Sequence, residues 1–343
     1  MRETEFFFRL TPDVMLAAVE RLGLQPTGHG FALNSLENRV YAMALADGNF
    51  VVAKFYRPER WTRDQLRAEH AFTAELAAAD IPVCTPLVFA GETVHEIDGI
   101  YYAVWPRTGG RMVDEFSAAQ LESLGALLAR IHLVGAQRPA PERVVFSAES
   151  MVRRPLALLQ ERGLLPDSCA ARYCAAAEQV ASRYETESAG VPQQRIHGDA
   201  HPGNLLRGDS GFFFLDFDDC VMGPAVQDFW MLWPETGEAG RCQRAAFLAG
   251  YAQFREYDPA WLRLPEILRA MRWIHYAAWI ARRWADPAFP AAFPAFGTAK
   301  YWEQETRDLE QQLTVIDRAL NPQAPPPPER ELTNKDFFWD LAE

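Results

Sequence analysis

One strand-rich island constrains this chain more than any other feature. From Ser117 to about residue 320, apolar residues recur at three- and four-residue spacing, which predicts helices near 117–135, 150–163, 168–188, 224–233, 240–256, 261–285 and 299–320. Within that stretch Leu205-Leu206 and Phe212 to Leu215 instead predict two short strands, closing on Gly208-Asp209-Ser210-Gly211. His197-Gly198-Asp199-Ala200-His201-Pro202-Gly203-Asn204 precedes this hairpin, and Leu215-Asp216-Phe217-Asp218-Asp219 follows it. A tight hairpin draws its two flanks together, so polar residues distant in sequence can serve one site.

The first third of the chain has a different rhythm. Val40 to Leu45 and Phe50 to Tyr56 predict strands joined by the turn Asp47-Gly48-Asn49. Thr62, with Gln65 three residues on, predicts a capped helix running to about Ala79, before Pro82. A second hairpin, Thr93 to Ile97 and Ile100 to Trp105, turns at Asp98-Gly99. Pro106 and Gly109-Gly110 break the pattern and mark a boundary. The expected organisation is α+β, with 1–106 as a small β-rich unit, 107–320 as a larger helical one, and 321–343 as a tail stiffened by Pro325 to Pro328. Phe337-Phe338-Trp339 in that tail can dock back on the body.

Composition narrows the partners. The net charge of -12 argues against a nucleic-acid binder, which needs a basic face. No apolar segment has the length of a membrane span, and no signal peptide is expected. The five cysteines have no metal-ligand spacing, which fits reduced thiols in a cytoplasm. On so acidic a chain, a phosphate site must rest on a few placed cations, backbone N–H groups and metal ions.

The motif at 197–219 fits phosphoryl transfer from ATP. That reaction needs a carboxylate to orient and deprotonate the attacking hydroxyl, and oxygen ligands to hold magnesium on the phosphates. Asp199 suits the first role, and Asn204 and Asp216 the second. The plain alternative is a surface hairpin rich in Asp and Gly, but Asp216 ends an apolar run, where a bare carboxylate is costly without a cation. Lys54, inside an apolar strand, can meet the α- and β-phosphates, with Glu69 on the inward stripe of the next helix as its ion-pair partner. Ser35, within Leu33-Asn34-Ser35-Leu36-Glu37-Asn38-Arg39, can donate to a phosphate, although this loop has no glycine and is otherwise an ordinary polar turn. The backbone of Val104 to Arg107, including Trp105, is expected to hold adenine. Asp228 is expected to brace the catalytic loop by accepting N–H groups, and His197 and His201 to be structural. The arginines of the aromatic-rich helix, among them Arg269 and Arg272, are expected to pair with acidic groups or phosphate.

His197-Gly198-Asp199 with Asn204 and Asp216 resembles the signature of the aminoglycoside phosphotransferase/choline kinase group of protein-kinase-like enzymes. Longer runs, Lys54 to Trp61, Gly223 to Asp228 and Arg282 to Pro290, resemble a bacterial branch of that group. The likeness extends from near the N-terminus to about residue 310. It implies a bilobal kinase-like fold, serine/threonine protein kinase activity with protein substrates, autophosphorylation, and a cytoplasmic role in stress protection. It also implies Asp199 as proton acceptor, Asn204 and Asp216 as magnesium ligands, Ser35 as an ATP contact, and Lys54 with Glu69 as an ion pair. The rival expectations are a small-molecule kinase of the same fold, acting on an amino alcohol, amino sugar or homoserine, and a pseudokinase scaffold. Acidity mildly favours a cationic small molecule, and the intact Asp199, Asn204 and Asp216 argue against the scaffold.

Overall fold

The computed structural model describes residues 7–33, 35–113, 115–209, 211–233 and 237–321. Asn34 of the candidate phosphate loop, Ser210 of the hairpin turn, and the tail with Pro325–Pro328 and Phe337–Trp339 lie outside the described residues. The chain forms two compact units. One joins Met1–Met112 to Leu206–Asp218, and the other joins Val113–Leu205 to the described residues from Asp219 onward.

The first unit is built on a five-stranded antiparallel sheet. Its strands are β1 (Pro26–Leu33), β2 (Arg39–Leu45), β3 (Phe50–Phe55), β4 (His95–Ile97) and β5 (Ile100–Pro106), in the order β1-β2-β3-β5-β4. Both predicted turns form, with Asp98 and Gly99 at φ 49 and 80, the left-handed pair that a two-residue hairpin requires. Helix α1 (Pro12–Glu20), which the periodicity did not single out, is capped by Thr11 and lays Met15, Ala18 and Val19 in the sheet core with Phe55, Tyr102 and Val104. Tyr102 donates its hydroxyl hydrogen to Ala18 O at 2.7 Å. Helix α2 (Arg63–Ala78) starts at the predicted capping box, Thr62 N to Gln65 Oε1 at 2.9 Å and Gln65 N to Thr62 Oγ1 at 3.2 Å. It buries Leu66, Glu69, Phe72 and Leu76.

The predicted island is a hairpin of β7 (Leu205–Gly208) and β8 (Gly211–Phe214). Leu206–Asp218 clusters with the first unit. Arg111 and Arg207 exchange backbone hydrogen bonds at 2.9 and 3.0 Å, and Phe72 meets Phe217 edge to face.

The second unit is mainly helical: α3 (Ala118–Gly135), α4 (Arg154–Glu161), α5 (Ala170–Glu187), α6 (Gly237–Ala252), α7 (Pro265–Arg283), α8 (Ala288–Ala292) and α9 (Ala299–Leu320). Two glycines bring α3 and α6 together. A Cβ on Gly125 would lie 2.0 Å from Phe247 O, and one on Gly250 would lie 1.8 Å from Glu122 O, so neither position admits a side chain at this separation. A two-stranded ladder of β6 (Gln193–Ile196) and β9 (Val221–Pro224) lies in this unit. The run at 224–233 departs from the predicted helix. It forms two 3-10 turns, Ala225–Asp228 and Trp230–Leu232, following β9. Such short tight turns suit a segment that must bury its aromatic and aliphatic side chains and still turn Asp228 inward.

Candidate active site

The loop from His197 to Asn204 follows β6 and has little regular structure of its own, so its shape comes from side chains around it. Asp228, fully buried, accepts His197 N at 2.7 Å on Oδ2 and Gly198 N at 2.8 Å on Oδ1. This is the predicted brace. His132 Nε2 completes it, 3.0 Å from Asp228 Oδ2, while its Nδ1 meets the Tyr251 hydroxyl at 3.0 Å. Burial holds His132 below the usual imidazole range, against the opposing pull of Asp228. Gly198 sits at φ +83, and a Cβ there would lie 2.2 Å from Asp219 O, so only glycine fits.

Asp199 is the chemical centre of this loop. Its Oδ1 is buried and 2.7 Å from an Arg272 guanidinium nitrogen. Its Oδ2 lies 3.2 Å from His201 Nε2 and accepts Asn204 Nδ2 at 3.2 Å. His201 Nδ1 accepts Gly203 N at 3.0 Å, which places the ring hydrogen on Nε2, facing Asp199. Burial alone would raise the Asp199 pKa, but Arg272, then His201 and His197, hold it well below the usual carboxylate range. Asp199 is therefore an anion at neutral pH. The Asn204 amide nitrogen also donates to Asp199 O at 3.0 Å, which turns Oδ1 of Asn204 away as an acceptor.

In the first unit, Lys54 pairs with two aspartates, the buried Asp218 and the exposed Asp216. Lys54 Nζ donates to Asp216 Oδ1 at 2.6 Å and to Asp218 Oδ1. Glu69 adds a further negative charge acting on Lys54, after the two aspartates. Thus the closest carboxylates to the lysine are those after β8, a placement that sequence spacing did not indicate. Desolvation disfavours the Asp216 anion, and Lys54 overcomes this to hold its pKa low. Asp218 goes the other way, raised first by burial and then by the charge of Asp216. Asp216 stands at φ 56, a strained conformation for a residue with a side chain.

The candidate phosphate loop is tied to the same cluster. Asn38 is the knot: its Nδ2 donates to Asp218 Oδ2 at 2.7 Å, its Oδ1 accepts Arg57 N at 3.1 Å, and its own N–H donates to Ser35 Oγ at 3.1 Å. The buried Arg57 guanidinium donates to Glu37 O at 3.0 Å and Leu36 O at 3.1 Å. Asn38 and Arg57 had no role assigned from sequence, and a buried arginine just after an apolar strand was the available signal. Of the expected adenine-contact residues, Val104 is fully buried and its carbonyl accepts Leu87 N at 2.7 Å. Trp105, half-buried, continues strand β5 opposite Val52.

Asn204 and Asp216 each carry a hard oxygen, the donor type that magnesium takes. Among the described residues, no group of three or more His, Cys, Asp or Glu forms a cage that would hold a metal unaided. No helix among them is long and apolar enough to cross a membrane, and all five cysteines are free.

The profile of the phosphotransferase enzyme family matches residues 31–267. Stress response kinase A of Escherichia coli (strain K12) is 37% identical over 328 residues, covering 95% of this chain and 98% of that protein. The serine/threonine protein kinase RdoA of Salmonella typhimurium is 36% identical over 321 residues, covering 92% and 97%. Among solved structures, the amicoumacin kinase hAmiN, in complex with AMP-PNP, Ca2+ and Ami, superposes with a TM-score of 0.70 at 19% identity, over 91% of this chain and 95% of that one.

Proposed function

The chain belongs to the phosphotransferase enzyme family, with its protein-kinase-like fold, and we propose that it is a serine/threonine protein kinase of bacterial stress protection. Kinase activity and ATP as phosphoryl donor follow from the family. The choice of acceptor rests on the relatives: those at 36–37% identity over nearly the whole chain bear the names of a stress response kinase and a serine/threonine kinase. One observation supports an active enzyme over a scaffold. Asp199 is ionised, oriented from both sides and set on a braced loop.

In this reading the acceptor hydroxyl oxygen attacks the γ-phosphorus. Its proton passes to Asp199 as the bond between the γ-phosphorus and the β-γ bridging oxygen breaks, and ADP carries away that electron pair. Lys54 steadies the α- and β-phosphates, with Glu69 contributing charge behind it, and Ser35 offers the phosphate loop's contact. Asn204 Oδ1 and the Asp216 carboxylate would hold magnesium, whose charge, when bound, offsets that of the phosphates. The assignment of 1–106 to ATP binding and 107–320 to catalysis and acceptor binding belongs to the same proposal, as do cytoplasmic residence and autophosphorylation.

The likeness to amicoumacin kinase favours a second reading, transfer to the hydroxyl of a small amino-bearing molecule. The deciding experiment incubates the protein and its Asp199→Asn variant with labelled ATP, magnesium and a generic basic protein, then maps the label by mass spectrometry. Phosphoserine or phosphothreonine is expected with the natural protein, and transfer falls by about two orders of magnitude or more in the variant. Absence of both phosphoresidues, with rapid turnover on a panel of amino alcohols and amino sugars, would establish the second reading. An Asp199→Asn variant as active as the natural protein would remove Asp199 from the mechanism.

A further inference from the structure

We propose that Arg272 is a positioning residue for phosphoryl transfer: it seals Oδ1 of Asp199 and so assigns proton acceptance to Oδ2. The proposal rests on the kinase reading of Asp199 given above. Its observations all lie in the second unit.

A carboxylate base has two oxygens, and only one needs to meet the acceptor. Here the two are treated differently. Oδ1 is buried and lies 2.7 Å from the Arg272 guanidinium, a full charge pair. Oδ2 has two longer contacts at 3.2 Å, from His201 Nε2 and Asn204 Nδ2. The Asp199 side chain as a whole is 21% exposed, and with Oδ1 buried the reachable oxygen is Oδ2. A proton from an acceptor hydroxyl would meet Oδ2, because Oδ1 is closed off beneath the Arg272 guanidinium in an ion pair that is not a hydrogen bond.

The mounting of Arg272 fits such a role. It lies in the middle of α7, a helix of nineteen residues whose buried stripe includes Leu268, Met271 and Ile274, so its backbone is fixed by packing. Its neighbours on the helix use their guanidinium groups elsewhere: Arg269 pairs with Glu266 and lies over Trp230, and Arg283 donates to Trp279 O and lies over that ring. Its guanidinium sets a permanent positive charge beside Oδ1 through one nitrogen. Loss of Arg272 would remove the charge held beside Oδ1 and leave the carboxylate placed by its two longer Oδ2 contacts alone.

The test measures Arg272→Ala, Arg272→Gln and Asp199→Asn beside the natural protein, with magnesium, ATP and the generic basic protein as acceptor. For both Arg272 variants kcat should fall about tenfold or more, while KM for ATP stays within about twofold because Arg272 acts through Asp199. Guanidinium chloride, at a concentration that leaves the melting temperature unchanged, should restore part of the Arg272→Ala rate and none of the Asp199→Asn rate. A purely structural role would not give that rescue. Glutamine keeps much of the side-chain length, so the kcat of Arg272→Gln decides the matter if the alanine variant fails to fold. A kcat within about twofold of the natural protein in a folded Arg272 variant overturns the proposal, as does a loss in Arg272→Ala that guanidinium does not lift. If Asp199→Asn itself remains fully active, the kinase reading of Asp199 fails. If Asp199→Asn is inactive and the Arg272 variants are not impaired, only the role of Arg272 fails.

Discussion

The loop at 35–38 and the loop at 197–204 are held by opposite ends of the peptide group. In the first unit, Arg57 donates to the carbonyls of Leu36 and Glu37, and the neutral amide of Asn38 ties the loop to Asp218. In the second, Asp228 accepts the amide hydrogens of His197 and Gly198. A cation anchors the loop expected to receive an anion, and an anion anchors the loop expected to receive a proton and a metal ion. This arrangement has a simple electrostatic logic. Turning carbonyls toward Arg57 removes partial negative charge from a surface expected to face phosphate, and turning amides toward Asp228 removes partial positive charge from one expected to face a cation.

Removing the carboxylate anchor should have the larger effect. Asp228→Ala leaves two backbone N–H groups and His132 without their buried acceptor, and is expected to cost about 3–5 kcal/mol. Urea unfolding followed by tryptophan fluorescence measures this. A loss below about 1 kcal/mol would show that the loop holds its shape without the brace.

The neutral anchor should matter less for stability and more for nucleotide. Asn38→Ala breaks one bond to a charged partner and removes the acceptor of Arg57 N, for an expected cost of about 1–3 kcal/mol. KM for ATP should rise more than kcat falls, because the proposed function sets this loop against the nucleotide. If kcat falls while KM is unchanged, Asn38 serves the chemical step and the contrast between the loops does not hold.

The smallest effect is a pH dependence carried by the carboxylate brace. Burial lowers the His132 pKa below its ordinary value of 6.5, so the folded protein keeps it neutral where the unfolded chain begins to take a proton. The stabilising contribution is therefore fully present above about pH 6.5 and is lost as pH falls toward the folded value. His132→Gln preserves a donor toward Asp228 but cannot titrate. Compared with it, the natural protein should lose stability more steeply as pH falls from 7 to 5.5. Parallel slopes in urea titrations of the two proteins would show that His132 does not carry the dependence.

Much of this architecture was legible because it is written in local chemistry. The hairpin turns, the capping box of Thr62 and Gln65 and the island at 205–214 each depend on neighbours within a few positions, and a linear pattern records them. Asp228 accepts the expected loop N–H groups, but from a 3-10 turn where the opening of a helix was expected. The run at 224–233 was misjudged because helical spacing in ten residues does not distinguish an α-helix from successive 3-10 turns. Helix α1 went unnoticed, since its apolar stripe is short and its stability comes from the sheet beneath it.

Which charges meet was decided only in three dimensions. Sequence placed Lys54 on an apolar strand and paired it with Glu69, which in the fold contributes charge behind two nearer aspartates. The fold puts Asp216 and Asp218 in hydrogen-bonding contact with Lys54. Likewise, sequence offered Arg272 some acidic or phosphate partner, and tertiary packing brought it to Asp199 across more than seventy residues of chain. The cause is the difference in range between the forces involved. Turn, cap and strand preferences act over a few bonds and are fixed by residue type. A buried charge has a strict need for an opposite one, but the sequence states only the need, and its partner is whichever group the packed backbone delivers within about 3 Å.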